Sequence, residues 1–153
     1  MTYHESITAG TPTPTLVLAL GRLATEVAGD MQSIFLRGDA RRAAVTQFLS
    51  LAGEKDHDLR LVSIAPEEPA SLPGDSRREG GQMIVSCAAE IRAGLERAMR
   101  DMRTHARLAQ AGLGDVLSPP VDLVVVADLT EPTVSGALVP LAALCDAVLA
   151  GQR

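Results

Sequence analysis

The sequence predicts an α/β fold, a small doubly wound and mostly parallel sheet of three to four strands flanked by helices. Two runs, TLVLAL at Thr15–Leu20 and VDLVVVADL at Val121–Leu129, are apolar almost throughout rather than alternating, which suits strands covered on both faces. Each passes through a short turn into apolar residues spaced three and four apart, the mark of a helix laid back on a sheet. A third run, LRLVSIA at Leu59–Ala65, lies between them and brings the order to β-α-β-α-β-α, a Rossmann-like three-layer arrangement.

Residues 1–14, MTYHESITAGTPTP, have the composition of turns and polyproline and read as a flexible leader to a single domain over 15–153. Gly21 ends the first strand, and Leu23, Val27, Met31, Ile34 and Phe35 mark the helix that follows. After Gly38 and Asp39, the segment Ala40–Leu51 is expected to be another short helix or a continuation of the first, with Val45, Phe48 and Leu49 inward. Pro66–Gly81 collects so many breakers that an exposed loop is predicted there. Gln82–Leu113 carries the longest apolar stripe, including Ile84, Ile91, Leu95, Met99 and Met102, and predicts one long helix ended by Gly112 and Gly114. Pro119 and Pro120 bound the last strand. A final helix over Gly136–Leu149 is expected, with Pro140 near its start, where a missing N–H is tolerated.

Composition excludes several functions. At 153 residues the chain can bury a core of its own, and at 46% hydrophobic and 22% charged it is ordinary. Aromatics are only 2%, with Tyr3, Phe35 and Phe48 and no tryptophan, so no row of stacking rings is available for single-stranded nucleic acid. The net charge of -5 repels phosphate backbones and anionic lipid, so neither nucleic acid nor a membrane is an expected partner. Cys87 and Cys145 sit among apolar and small residues and read as buried, reduced thiols. The polar start does not resemble a signal peptide and no apolar run reaches membrane-span length, which predicts a cytoplasmic protein.

In open parallel sheets, ligands gather beyond the carboxyl ends of the strands. That directs attention to Gly21–Thr25, Ala65–Gly81 and Asp128–Gly136; the first and last lead into helices whose free N–H groups attract anions. The start PTLVLALGRLATEV, Pro14–Val27, resembles the opening of bacterial tubulin-like proteins of the FtsZ/tubulin superfamily, where a strand leads to G-L-G-G-T-G and a helix. The end VDLVVVADLTEPTVSGALVPLAALCDAVL, Val121–Leu149, is similar to that family's strand, G-G-T-G-S-G phosphate loop and helix.

The resemblance implies a GTP or related nucleotide site at Gly21, Arg22, Thr25, Thr130, Thr133, Ser135 and Gly136. The chain departs from the pattern where it matters chemically. Arg22, Leu23 and Ala24 replace glycine or threonine in the first turn, and Glu131, Pro132 and Val134 replace glycines in the second. Pro132 deletes an N–H donor and Glu131 directs a carboxylate toward the anion. The family's second domain and its hydrolytic loop have no counterpart in the sequence. The implied protein is thus a degenerate, truncated relative without cofactor or catalysis, an accessory or structural subunit working through protein contacts. A protein partner or a homo-oligomer is expected, held by helix 82–113 or an uncovered edge strand.

Two other readings stand beside this one. A nucleotide or other small anion could still bind the two loops, with Arg22 supplying charge that the missing glycines do not. Asp128-Leu129-Thr130-Glu131 also resembles, incompletely, the metal site of von Willebrand type A domains; Asp128 or Thr130 serving the turn before the last helix is the simpler role. Asp56, His57 and Asp58 read as a solvated turn and His105 as a surface residue. No G-x-S-x-G, C-x-x-C or H-E-x-x-H pattern is present, and no catalytic residue is predicted.

Overall fold

Leu16, Leu18 and Leu20 point to one face of strand β1 (Thr15–Leu20), Val17 and Ala19 to the other, and all five are buried. Side chains alternate along a strand, so a run apolar at every position needs cover on both sides. A computed structural model, which describes residues 10–54, 58–65 and 70–152, shows that cover. After β1 come α1 (Arg22–Gly38), α2 (Ala40–Ala44), β2 (Thr46–Ala52) and β3 (Arg60–Ser63). They are followed by α3 (Arg77–Ser86), α4 (Ala88–Met102), α5 (His105–Gln110), β4 (Asp122–Ala127) and α6 (Pro132–Ala150). The strands form one sheet of order β3-β2-β1-β4, in which β1 is parallel to both β2 and β4 and β3 is antiparallel to β2. This is the expected Rossmann-like three-layer α/β architecture.

One face of the sheet is covered mainly by α1, with Ile64 beside it. Its Ala24 and Ala28 are buried, with Met31 and Phe35 beside them, against Val17, Ala19, Phe48 and Val126. The rings of Phe35 and Phe48 meet edge to face, with centroids 5.8 Å apart and planes at 69°. The larger core lies on the opposite face, where Met83, Ile91, Leu95, Met99, Leu141 and Val148 from α3, α4 and α6 meet the leucines of β1 and β2. Each fully buried leucine there contributes about 1.5–3 kcal/mol. Residues 1–9, most of the expected leader, lie outside the described residues. Pro12 and Pro14 are buried and the Pro14 carbonyl accepts the Asp122 N–H at 2.9 Å, so the end of that segment belongs to the fold.

Four sequence expectations are corrected. Only Ala40–Ala44 of the expected helix Ala40–Leu51 is helical, and Thr46–Ala52 is strand β2. Val45, Phe48 and Leu49 suit either period, but Phe48 and Leu49 go to opposite faces of the sheet, and cover on both sides decides for the strand. The expected helix Gln82–Leu113 is three helices. Cys87 (φ -102°, ψ 16°) separates α3 from α4, and extended Thr104 (φ -62°, ψ 144°) separates α4 from α5. The apolar stripe survives because Ile84, Ile91, Leu95 and Met102 still reach one core.

The predicted loop 66–81 ends early, with Arg77–Gly81 already in α3; residues 66–69 lie outside the described residues. Its start is set by a capping box: Ser76 Oγ accepts the Glu79 N–H at 3.2 Å, while Glu79 Oε2 accepts the N–H groups of Asp75 and Ser76 at 2.9 and 3.0 Å. Finally, α6 begins at Pro132, and Pro140 stands inside it rather than near its start. Pro132 at the first helical turn gives up only an N–H that has no partner within the helix. Pro140 leaves the Gly136 carbonyl without its usual helical donor, and that carbonyl faces Gly81 of α3 across the helix contact.

Helices α3 and α6 approach each other so closely that glycine is required at the contact. A Cβ on Gly80 would overlap the Thr133 carbonyl, and one on Gly136 would overlap the Arg77 carbonyl. Backbone meets backbone here, which fixes α6 beside the last strand.

Candidate functional site at the carboxyl edge of the sheet

The chain leaves β1 through Gly21, whose φ of 89° lies in the left-handed region open to glycine. Glycine offers no side-chain oxygen to cap α1, so the first N–H groups of that helix must find acceptors elsewhere. The Arg22 N–H finds one across the sheet, donating to Glu131 Oε1 at 3.0 Å. Glu131 immediately precedes α6, and its carboxylate therefore ties together the turns that follow β1 and β4. The packing is tight: a Cβ on Gly21 would stand 2.9 Å from Val134 Cγ2 and 3.0 Å from Glu131 Oε1. A carboxylate at a helix N-terminus meets the same N–H groups and dipole that a phosphate would.

The remaining candidate residues are engaged separately. Thr25 is buried and its hydroxyl donates to the Gly21 carbonyl at 2.8 Å, within its own helix turn. The Arg22 guanidinium lies on the surface, 3.6 Å from Glu26. Thr130 donates both its hydroxyl (2.6 Å) and its N–H (3.0 Å) to Asp128 Oδ1, a turn that holds the Asp128 carboxyl below its ordinary pKa, the hydroxyl being the larger cause. Thr133 is buried at the α3 contact, and Gly136 faces the Arg77 carbonyl. The Ser135 N–H donates to the Glu131 carbonyl at 3.0 Å, closing the first turn of α6. The structure thus brings Gly21 and Arg22 together with Glu131, while Thr133 and Gly136 serve helix packing and Thr130 serves a turn.

Open space lies beside this junction rather than in it. A cleft of about 390 Å³ runs along α1 past Arg22, Thr25, Gly29, Ser33 and Ile64. Another, about 280 Å³, lies near the end of β2 with Ser50, Asp58, Arg60 and Ser71 around it. Ser50 is buried and its hydroxyl has no partner among the described residues. Among the described residues no three His, Cys, Asp or Glu side chains are grouped to hold a metal ion. Burial pushes the Cys145 thiol up to about 11, which keeps it protonated and unreactive, and both cysteines are free and buried. The turn Asp56-His57-Asp58 falls mostly outside the described residues.

The chain matches no protein-family model, no curated protein and no solved structure. Its functional reading therefore rests on the residues themselves.

Sequence reasoning flagged Glu131 as a carboxylate among anion-binding positions, but the N–H it meets is 109 positions away in the chain. The glycine contact of α3 with α6 was missed altogether. Its signal was present in Ser76-x-x-Glu79, a capping box that starts a helix at Arg77 and carries Gly80 and Gly81 with it. Among the described residues one helix, α6, is long and apolar enough by length and composition to cross a membrane, although its core-facing side is packed as Val134, Ala137, Leu141 and Val148.

Proposed function

We propose that the chain is a non-enzymatic interaction module, an accessory or structural subunit resembling a tubulin-like domain whose nucleotide loops have closed on themselves. The observation that carries this reading is the Arg22 N–H held by Glu131: the anion-seeking end of α1 takes a carboxylate from its own chain. Pro132, which has no N–H to donate to a phosphate, and Gly136, packed against the Arg77 backbone of α3, support the same reading.

Calorimetric titration of the full chain with GTP, ATP and their diphosphates tests it, and no binding is expected up to millimolar ligand. Micromolar binding abolished by Arg22→Ala would overturn the proposal in favour of a nucleotide sensor. Thermal denaturation with and without magnesium is expected to give the same melting temperature. Stabilisation by magnesium that Asp128→Ala removes would instead identify a metal-dependent interaction domain.

A further inference from the structure

Among the described residues, strand β4 has a neighbour on one side only. At the two ends of its ladder the N–H groups of Asp122 and Asp128 donate to Pro14 and Leu20, beside β1. Backbone groups alternate in direction along a strand, so those of Leu123, Val125 and Ala127 point away from β1, outward at the sheet edge. Such a row is a template for another strand, and proteins usually blunt it with lysine, proline or a bulge. None of these occurs in Asp122–Ala127, where the only charge is Asp122 at the start.

The ground on both sides of this edge is apolar. Val124, 42% exposed, projects on the α1 face. On α1, Gly29 and Thr25 flank the core-facing stripe on the side of Ile64 and Ala70, so the opposite flank, Leu23, Val27 and Ile34, lies toward β4. Leu23 is 54% exposed and Ile34 70%. On the other face the helix touching β4 is α6, which has a single charged residue, Asp146. Val124, Leu23, Val27 and Ile34 thus leave apolar surface open beside an unpaired strand, the kind of patch that marks a contact with another protein surface.

We propose that the occupant is a second copy of this chain, whose β4 pairs antiparallel with the first about a twofold axis through Val124 to give one continuous sheet of eight strands. The proposal names the partner within the interaction-module reading and rests on it. Register and charge both favour the self-pairing. With Val124 on the axis, Leu123 faces Val125 of the other copy and Val121 faces Ala127, all with outward backbone groups, and Asp122 meets Val126. Moving the axis to Val125 would oppose Asp122 to Asp128, two acids directly across the seam. The twofold also sets the two α1 helices antiparallel, so that the exposed Leu23 and Val27 of one copy lie toward Ile34 of the other.

Sedimentation equilibrium of the full chain from 1 to 100 µM is expected to give twice the 16.0 kDa chain mass. Val124→Lys puts like charges face to face on the axis while leaving the core intact, and is expected to weaken the dimer by about 100-fold with an unchanged circular dichroism spectrum. Val124→Cys covers the case in which the lysine variant fails to fold. A pair without hydrogen bonds between it has Cα atoms about 4.5 Å apart, so mild oxidation is expected to yield a disulfide-linked dimer, and Val62→Cys on β3 none. A wild-type chain monomeric at 100 µM overturns the dimer, as does a dimer that Val124→Lys leaves intact or one that Val124→Cys fails to cross-link. None of these results involves nucleotide, so the dimer can fail while the interaction-module reading stands, and micromolar GTP or ATP binding sinks the latter whatever the mass.

Discussion

The two ends of the sheet are built differently. At one end β3 is four residues long, opens on Arg60 and pairs antiparallel with β2 after a short connection, and α4 lies over it. At the other end β4 is six residues long and uncharged after Asp122, arrives from a distant part of the chain and is backed by α6. Local pairing and a charged, short edge make the β3 end self-sufficient. The β4 end depends on long-range contacts made by backbone: the α3–α6 crossing at Gly80 and Gly136, and the Glu131 carboxylate on the Arg22 N–H. Where side chains mediate a contact the structure can yield, whereas backbone against backbone leaves it no slack.

Two glycine substitutions set the ends against each other most directly. At Gly80 an added Cβ runs into the Thr133 backbone; at Gly94 it would stand 3.0 Å from Leu61 Cδ1, the far end of a side chain that can turn aside. Gly80→Ala is expected to cost about 3 kcal/mol, the upper part of the range for overpacking. Gly94→Ala is expected to change stability by less than about 1 kcal/mol, because the helix-propensity gain of alanine offsets the shift of Leu61. Urea denaturation of the two variants measures both. Equal losses would mean that the β4 end is no less forgiving than the β3 end.

That contrast also explains what could be read from the chain. Thr15–Leu20 was legible because a strand covered on both faces is apolar at every position, and Val121–Leu129 because its centre is a dense β-branched run bounded by prolines, signals that need no partner to recognise. Strand β2 was not, since Thr46, Gln47 and Ser50 interrupt the apolar run and the helical Ala40–Ala44 leads into it; only its pairing with β1 makes it a strand. The breaks at Cys87 and Thr104 were hidden by a stripe that continues through them. At the candidate site, residue types were visible but their partners were not. Glu131 shows in the sequence as a misplaced acid, and the N–H it accepts is supplied by the fold.

Helix caps give the next largest effects. Ser76 caps α3 behind the β4 end, while Asp39 Oδ1 accepts the N–H groups of Arg41 and Arg42 to cap the five-residue α2. Replacement of Ser76 by alanine is expected to cost about 1 kcal/mol of global stability. Asp39→Ala removes a cap from a helix with no buried residue and is expected to show chiefly as local fraying in hydrogen exchange. The Ser76 effect should depend on pH. Backbone N–H of Asp75, then the hydroxyl and N–H of Ser76, hold Glu79 below its ordinary value of 4.5. A carboxyl depressed in the folded state contributes stability above its unfolded pKa and loses it as pH falls through the folded one. The difference between wild type and Ser76→Ala should therefore narrow as pH falls below 4.5, down to the part due to Ser76 Oγ accepting the Glu79 N–H, and a difference constant from pH 7 to pH 3 would show that the Ser76 hydroxyl gains nothing from the Glu79 charge.

The smallest expected effect is at the tie between the two turns. Glu131→Gln keeps an oxygen for the Arg22 N–H and removes only the charge facing the α1 dipole, an expected loss of about 0.5 kcal/mol that fades in high salt. Glu131→Ala removes the acceptor as well and leaves that N–H open. Sulfate or phosphate should then raise the melting temperature of the alanine variant more than that of wild type, because an anion can take the position the carboxylate held. Equal shifts in the two proteins would mean that α1 gains nothing from an anion there, and that Glu131 serves packing against Gly21 rather than standing in for a phosphate.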